Sequence, residues 1–399
     1  MGLNKIIIST TLALLAGGCA SAPPVIVEEP EPETPTGTPI VQPGDGYLMY
    51  YVDGTDIRVR NTVAAIDSVV VAGVSGVVAS ASPDGSHVAV AYARAGSAEL
   101  VMIDTRTGSV SSVHLAPPGE YTLAWSVEGD ALGAAHRPAA QGIRGAVLIA
   151  DTDGNARDIG CSAANRFIAW RSNGQVIVGD DANVYTVSAR DCSTLATLSR
   201  RDKTHIQYSP DGNHVLFERN GGLIGARYDG ASSQWVARSR YRPRNARWSP
   251  DGSRIAFEVQ SEQYANITHL AIYEYATGRM EIHSDEKPLG VPRDMNPCWS
   301  PNGDRIAHDR DYFRSGGGQE YVQRQRVASA MDGGTEVVVA EELVRDVSPA
   351  EPGPCGWIDD NHLVVTSTEG PRVFNIETKV AYRLPENSRL LWARVVSRE

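Results

Sequence analysis

The chain has 399 residues, 42% of them hydrophobic, and a formal net charge of −11. That length buries a sizeable core, and the charge argues against a protein whose main work is holding nucleic acid or an anionic membrane surface. Few apolar residues fall into long helical stripes, so alternating strands and regularly spaced turn signals predict an all-β array.

The first element in chain order is a leader. Lys5 is followed by the apolar run "IIISTTLALLA" and then by "GGC", a pattern of secretory type that is too short to span a bilayer as a mature helix. Ala16-Gly17-Gly18-Cys19 resembles a bacterial lipobox, with Ala16 where that motif most often has Leu. The resemblance implies residues 1–18 as a lipoprotein signal peptide and Cys19 as the lipidated first residue of the mature chain. Ala20 in place of Asp after that cysteine implies the outer membrane, periplasmic face, with the membrane touched only through the lipid. A plain signal peptide is the alternative. Residues 19–46 carry seven prolines and the acidic run Glu28, Glu29, Glu31 and Glu33, which predicts an extended tether reaching on the order of 80 Å at about 3.1 Å per residue.

From Tyr47 onward one string recurs. "ASPDGSHVAVAY" starts at Ala81, "WSVEGDALGAAH" at Trp125, "WRSNGQVIVGD" at Trp170, "YSPDGNHVLFER" at Tyr208, "WSPDGSRIAFEV" at Trp248, "WSPNGDRIAHDR" at Trp299 and "WIDDNHLVVTS" at Trp357, with a weaker echo at Trp392. These anchors are 44, 45, 38, 40, 51, 58 and 35 residues apart, and six of the seven tryptophans occupy the anchor position. The period matches a four-stranded propeller blade. Within each unit an inner strand a ends at the anchor, a Ser-Pro-Asp-Gly turn reverses the chain, and strands b, c and d follow. Pro presets φ, Asp bonds nearby backbone N–H groups and Gly takes the left-handed position. "YLMYYV" and "DIRVRNT" at the start read as strands b and c without an a, and "RLLWARVV" near the end reads as an a without partners. Their pairing would close a ring of eight blades over residues 47–399 and remove the exposed edges. Seven blades is the alternative.

Ser-Pro-Asp-Gly after an aromatic, with an Ile-Ala-Phe-like strand behind it, resembles the TolB-type or PD40 (WD40-like) β-propeller repeat. The resemblance is strong at Ala81, Tyr208, Trp248 and Trp299, weak at Trp170 and Trp357, and lacks the α/β domain that precedes the TolB propeller. It implies a fold and leaves a role in the Tol system open.

Four cysteines follow Cys19. Equivalent positions on consecutive units predict the pairs Cys161 with Cys192 and Cys298 with Cys355, against the alternative of four buried thiols. The turn aspartates Asp84, Asp211 and Asp251 read as turn formers. "DTDGN" at Asp151 reads as a c–d turn, because its Gly stands fourth where a calcium loop needs it sixth. His87, His214 and His362 share one repeat position and read as structural surface residues. No metal-ligand spacing, cofactor motif or catalytic motif is present, so the expectation is a protein without enzymatic activity.

The loops opening on the channel mouth carry the binding candidates. Blade six has the long segment Asp309 to Tyr321, and blade five has Gln260 to His269. Arg201, Lys203, Arg242, Arg244 and Arg293 precede their anchors at similar offsets, and Arg310, Tyr312 and Arg314 join them. Together they would form a positive sector for carboxylates or other anions. The rival reading is surface pairing with Asp202, Asp294 and Asp309. The expected partner is an envelope protein or polymer, the expected state monomeric, and the expected role an interaction scaffold. The alternatives are a polysaccharide lyase-like enzyme and an outer-membrane barrel-assembly accessory.

Overall fold

The computed structural model describes residues 45–161, 164–171, 174–261, 267–283, 293–316, 319–331, 336–344, 356–367, 370–384 and 388–397. The leader, Cys19 and the tether lie outside the described residues.

Eight four-stranded antiparallel sheets make up the ring. The inner strands are Ser75–Ala81, Gly119–Trp125, Arg166–Arg171, Thr204–Tyr208, Arg244–Trp248, Arg293–Trp299, Gly356–Trp357 and Arg389–Ser397, for blades one to eight. Blade eight is closed as the sequence predicts. Its inner strand comes from the C-terminal end, while its other three, Asp45–Asp53, Asp56–Asn61 and Ile66–Val71, come from the N-terminal end. Asp45 lies opposite Ser397 and Tyr50 opposite Trp392, so no sheet edge is left at the join.

The core is a set of layers between blades. Leu48, Tyr50 and Ile57 of blade eight pack on Val88, Val90 and Ile103 of blade one, and Leu100, Met102 and Ala89 of blade one pack on Leu132 and Leu148 of blade two. Strand b is apolar on both faces because a blade is covered on both sides.

The repeated turn works as the residue types require. In blade five the Ser249 hydroxyl donates to Asp251 at 2.5 Å, the Ser253 N–H donates to the same carboxylate at 3.0 Å, and Gly252 sits at φ 70°. Blades one and four repeat this at Ser82, Asp84 and Gly85, and at Ser209, Asp211 and Gly212. "DTDGN" is a c–d turn, with Asp151 accepting from the Asn155 N–H at 2.9 Å.

The anchor tryptophans staple each blade to the one before. Trp125 donates its indole N–H to the Ser80 carbonyl at 2.9 Å, Trp170 to Ala124 at 2.8 Å, Trp299 to Arg247 at 3.2 Å and Trp357 to Cys298 at 3.2 Å. Each acceptor stands one residue before the preceding anchor. Trp248 is buried too, but its indole N–H has no partner among the described residues.

Two expectations need correction. The segment Asp309 to Tyr321 is not a loop: strands b and c of blade six run as Arg305–Gly316 and Gln319–Ala330, paired along their whole length. The histidines after the turn are not surface residues. His87 lies 6.4 Å from the Trp125 ring, His214 6.3 Å from Trp248 and His362 5.7 Å from Tyr47, so each packs against the next blade. Their position behind a polar turn suggested exposure; packing on the next blade leaves His87 and His214 half-buried and His362 buried.

Cys161 and Cys192 form a disulfide between blades two and three, with Cα atoms 5.4 Å apart, inside the range a disulfide spans without distortion. Cys298 is disulfide-bonded. Cys355, expected to be its partner, lies outside the described residues.

Candidate functional site

Strands a and c run from the loop face to the turn face, and b and d run back, so the d–a and b–c connections share one mouth. The eight candidates gathered there divide by their surroundings. Arg201, Arg242 and Arg244 are exposed, and none has a carboxylate within 4 Å among the described residues. Arg242 caps a short 3-10 turn, Ser239–Tyr241, in the left-handed region at φ 43°. Arg240 and Arg247 on the same stretch are exposed as well, Arg240 stacking 4.6 Å over the Tyr241 ring. Lys203 is half-buried, its ammonium 5.4 Å over the Phe217 ring.

Arg293 and Arg310 are held differently. Arg310 donates from Nε to Asp294 at 2.8 Å and also pairs with Glu336, while Arg293 donates to Asp311 at 2.9 Å. Asp294 and Asp311 are both 0% exposed. Arg324 donates twice to Asp311, at 2.7 and 2.9 Å, and Arg326 donates to Asp309 at 2.6 Å. His308 lies with Nε2 3.5 Å from Asp294, and its other ring nitrogen is buried without a partner among the described residues. Burial works to raise the Asp294 pKa, but His308 and Arg310 outweigh it and hold the carboxyl well below its usual range. Arg293 and Arg310 therefore hold blade six together. Tyr312 is half-buried further along the same strand. Arg314 follows it there, and its side chain lies outside the described residues.

A second set of polar residues, missed in the sequence, lies on the inner strands of blades four, five and six. His205, Asn245 and Asn296 each stand three residues before their anchors, and all three have left-handed backbone, at φ 49°, 49° and 54°. Each marks a bulge at which the a–b register slips. Non-glycine residues pay for that conformation and hold it only where surroundings impose it. The acids ten residues after the same anchors face them. His205 Nδ1 is 3.2 Å from Glu218, Asn245 donates to Glu258 at 2.6 Å, and Asn296 donates to Asp309 at 3.0 Å. Glu258 also accepts the backbone N–H of Asn296 at 2.8 Å, which joins blade five to blade six. In blade one the same two offsets hold Val78 and Ala91, and in blade two Thr122 and Ala135. The repeat spacing that located the arginines would have located these residues, had it been counted forward as well as back.

Among the described residues no group of three or more His, Cys, Asp or Glu is placed to hold a metal ion.

No protein-family model matches the chain. No curated protein matches it either. Solved structures do. A crystal structure of TolB from Acinetobacter baumannii is 14% identical, with 75% of this chain and 63% of that chain covered and a TM-score of 0.37. An oligogalacturonate lyase in complex with manganese is 15% identical, with 86% and 97% covered and a TM-score of 0.51. A dihydro-heme d1 dehydrogenase is 13% identical, with 87% and 75% covered and a TM-score of 0.44. The chain spans less than two thirds of the Acinetobacter TolB.

The likeness to the lyase corrects the expectation of a protein without enzymatic activity. That expectation rested on the lack of a catalytic motif, yet the fold is shared with a lyase, and in a repeat scaffold chemistry resides in loop and rim residues that no local motif announces. At 15% identity the likeness shows the propeller fold and leaves the reaction open. The conclusion shown is an eight-bladed propeller of four-stranded antiparallel blades.

Proposed function

We propose that the chain is a lipid-anchored envelope protein whose propeller binds an anionic envelope polymer or protein through the loop face over blades four and five. The observation that carries this reading is the arc of Arg201, Arg242 and Arg244, exposed and without carboxylate partners among the described residues in a chain of net charge −11. An acidic protein that leaves cations unpaired on adjacent connections offers a local site for carboxylates. The route of the chain supports the same reading. Asp45 starts its strand beside Ser397 on the turn face, the end of the ring opposite the mouth.

Retention on an immobilised polycarboxylate tests the binding. The wild-type protein should be retained and released by salt, as screening predicts, and Arg242→Glu with Arg244→Glu should abolish retention without altering the melting temperature. Unchanged retention would reject the proposal. The anchor is tested separately, by incorporation of a labelled fatty acid into the wild-type chain and its loss in Cys19→Ser.

A further inference from the structure

Arg244 and Glu258 face each other across the a–b ladder of blade five. Cross-strand neighbours of opposite charge share a face and ordinarily pair. Here no contact within 4 Å joins them among the described residues. Glu258 is 5% exposed, and one of its carboxylate oxygens takes both bonds, from the Asn245 amide and the Asn296 N–H. Its other oxygen has no partner among the described residues. That oxygen is not fully enclosed, so it stands open to a donor brought by a ligand.

The amide of Asn245 is oriented by the same bonds. A carboxylate only accepts, so the amide nitrogen faces Glu258, and its second hydrogen points at the Asn296 side-chain oxygen 3.4 Å away. The side-chain oxygen of Asn245 is left as a further idle acceptor on an exposed residue. The left-handed backbone at Asn245 and Asn296 sets the Asn245 side-chain amide and the Asn296 backbone N–H that bind Glu258. One cation of the arc and two acceptors are thus held apart, Arg244 and Asn245 on the inner strand and Glu258 on the strand b beside it.

We infer that this place is a subsite for a carboxylate-bearing saccharide unit, with the carboxylate on Arg244 and ring hydroxyls donating to the idle Glu258 and Asn245 oxygens. The inference rests on the proposed anion-binding face and names the chemistry of its ligand. An acidic peptide would satisfy Arg244 as well, but its side chain brings no donors beside the carboxylate. A sugar ring carries several hydroxyls within a few ångströms of it, each able to donate and accept, and so meets the acceptors that the arginines leave over.

The test compares two probes of equal charge, a uronate oligosaccharide and an oligoglutamate peptide, by titration calorimetry at fixed ionic strength. The wild-type protein should prefer the uronate about tenfold. Glu258→Gln keeps shape and the Asn245 bond but turns the idle acceptor into a donor, and it should bring the two affinities to within about twofold of each other. Asn245→Gly tolerates the left-handed backbone and keeps every charge. It should weaken uronate binding while leaving the peptide nearly unaffected, because it removes the Asn245 acceptor that only a sugar hydroxyl uses, while Glu258 stays tied to the Asn296 N–H. Equal affinity for both probes in the wild type, or a preference untouched by both variants, overturns the saccharide subsite and leaves the anion-binding face standing. Failure of the wild type to bind either probe overturns both.

Discussion

The boundary between blades eight and one and the boundary between blades five and six belong to the same ring and are built from the same repeat, yet different forces hold them. Eleven buried hydrophobic residues form the first, with Val88, Val90 and Ile103 facing Leu48, Tyr50 and Ile57. The second has five among the described residues, Ala256, Leu270, Ile272, Trp299 and Ile306, and continues toward the loop face as polar contacts, with Glu258 accepting the Asn296 N–H and Thr268 donating to the Asp294 carbonyl, backed by the charged residues within blade six. A blade boundary needs contact along its whole height, and the repeat leaves the chemistry of that contact open. Apolar residues at the mouth end give a boundary that only packs. Charged residues there give one that also presents groups to a ligand, provided each buried charge is met.

The largest effect is expected from breaking the ionic network inside blade six that backs this boundary. Arg310→Leu leaves Asp294 buried with only His308 near its carboxylate, and should cost about 3–5 kcal/mol in urea unfolding. Leu100→Ala, in the apolar layer between blades one and two, should cost a similar amount, about 2–5 kcal/mol, through cavity formation. A loss below about 1 kcal/mol for Arg310→Leu would show that the charged residues add no cohesion and serve ligand binding alone.

The second prediction concerns pH. Between blades one and two, His114 bonds the Tyr121 hydroxyl at 2.6 Å and His136 packs 4.9 Å from the same ring, with Asp158 the charged neighbour of His114. Burial lowers the pKa of both histidines, and proximity to His114 lowers His136 further. A base whose folded pKa is depressed binds fewer protons folded than unfolded, so stability is complete above the unfolded value of about 6.5 and declines as pH falls below it. His283, lowered by burial and by His308, contributes with the same sign at the boundary of blades five and six. Unfolding midpoints at pH 7 and pH 5 should therefore differ, and His136→Phe should narrow the difference. An undiminished difference would place the response at His114 or His283.

The smallest effect separates two anchors. Trp170→Phe removes a 2.8 Å bond to Ala124 and should cost about 1 kcal/mol beyond the change in ring size. Trp248→Phe should lack that component, since its indole N–H has no partner among the described residues. Equal losses would mean that the staple contributes nothing measurable.

Much of the fold was legible because it is local and periodic. The turn at Asp251 and Gly252 and the alternation from Ile255 to Val259 each depend on a few adjacent residues, and the repeat shows them many times over. The halved strands at Tyr47 and Trp392 made closure of the ring a matter of counting. The site was less legible. Arg242 and Arg310 look alike in the sequence, as arginines among loops and acids, but the first is exposed without a carboxylate partner among the described residues and the second is bound to Asp294 and Glu336. The long segment after Asp309 was taken for a loop because its Gly-rich middle and mixed charges break the alternation expected of a strand.

By itself the sequence determined the repeat, the turn chemistry, a closed ring of seven or eight blades and the concentration of arginine ahead of neighbouring anchors, because hydrophobic period and turn geometry are properties of short segments. Only the tertiary structure decided which arginines meet a carboxylate and that Glu258 is tied by Asn245 and Asn296 away from Arg244. Those outcomes depend on groups tens of residues apart in the chain, brought within about 3 Å by the curvature of the ring, where burial sets the cost of a charge left without a partner.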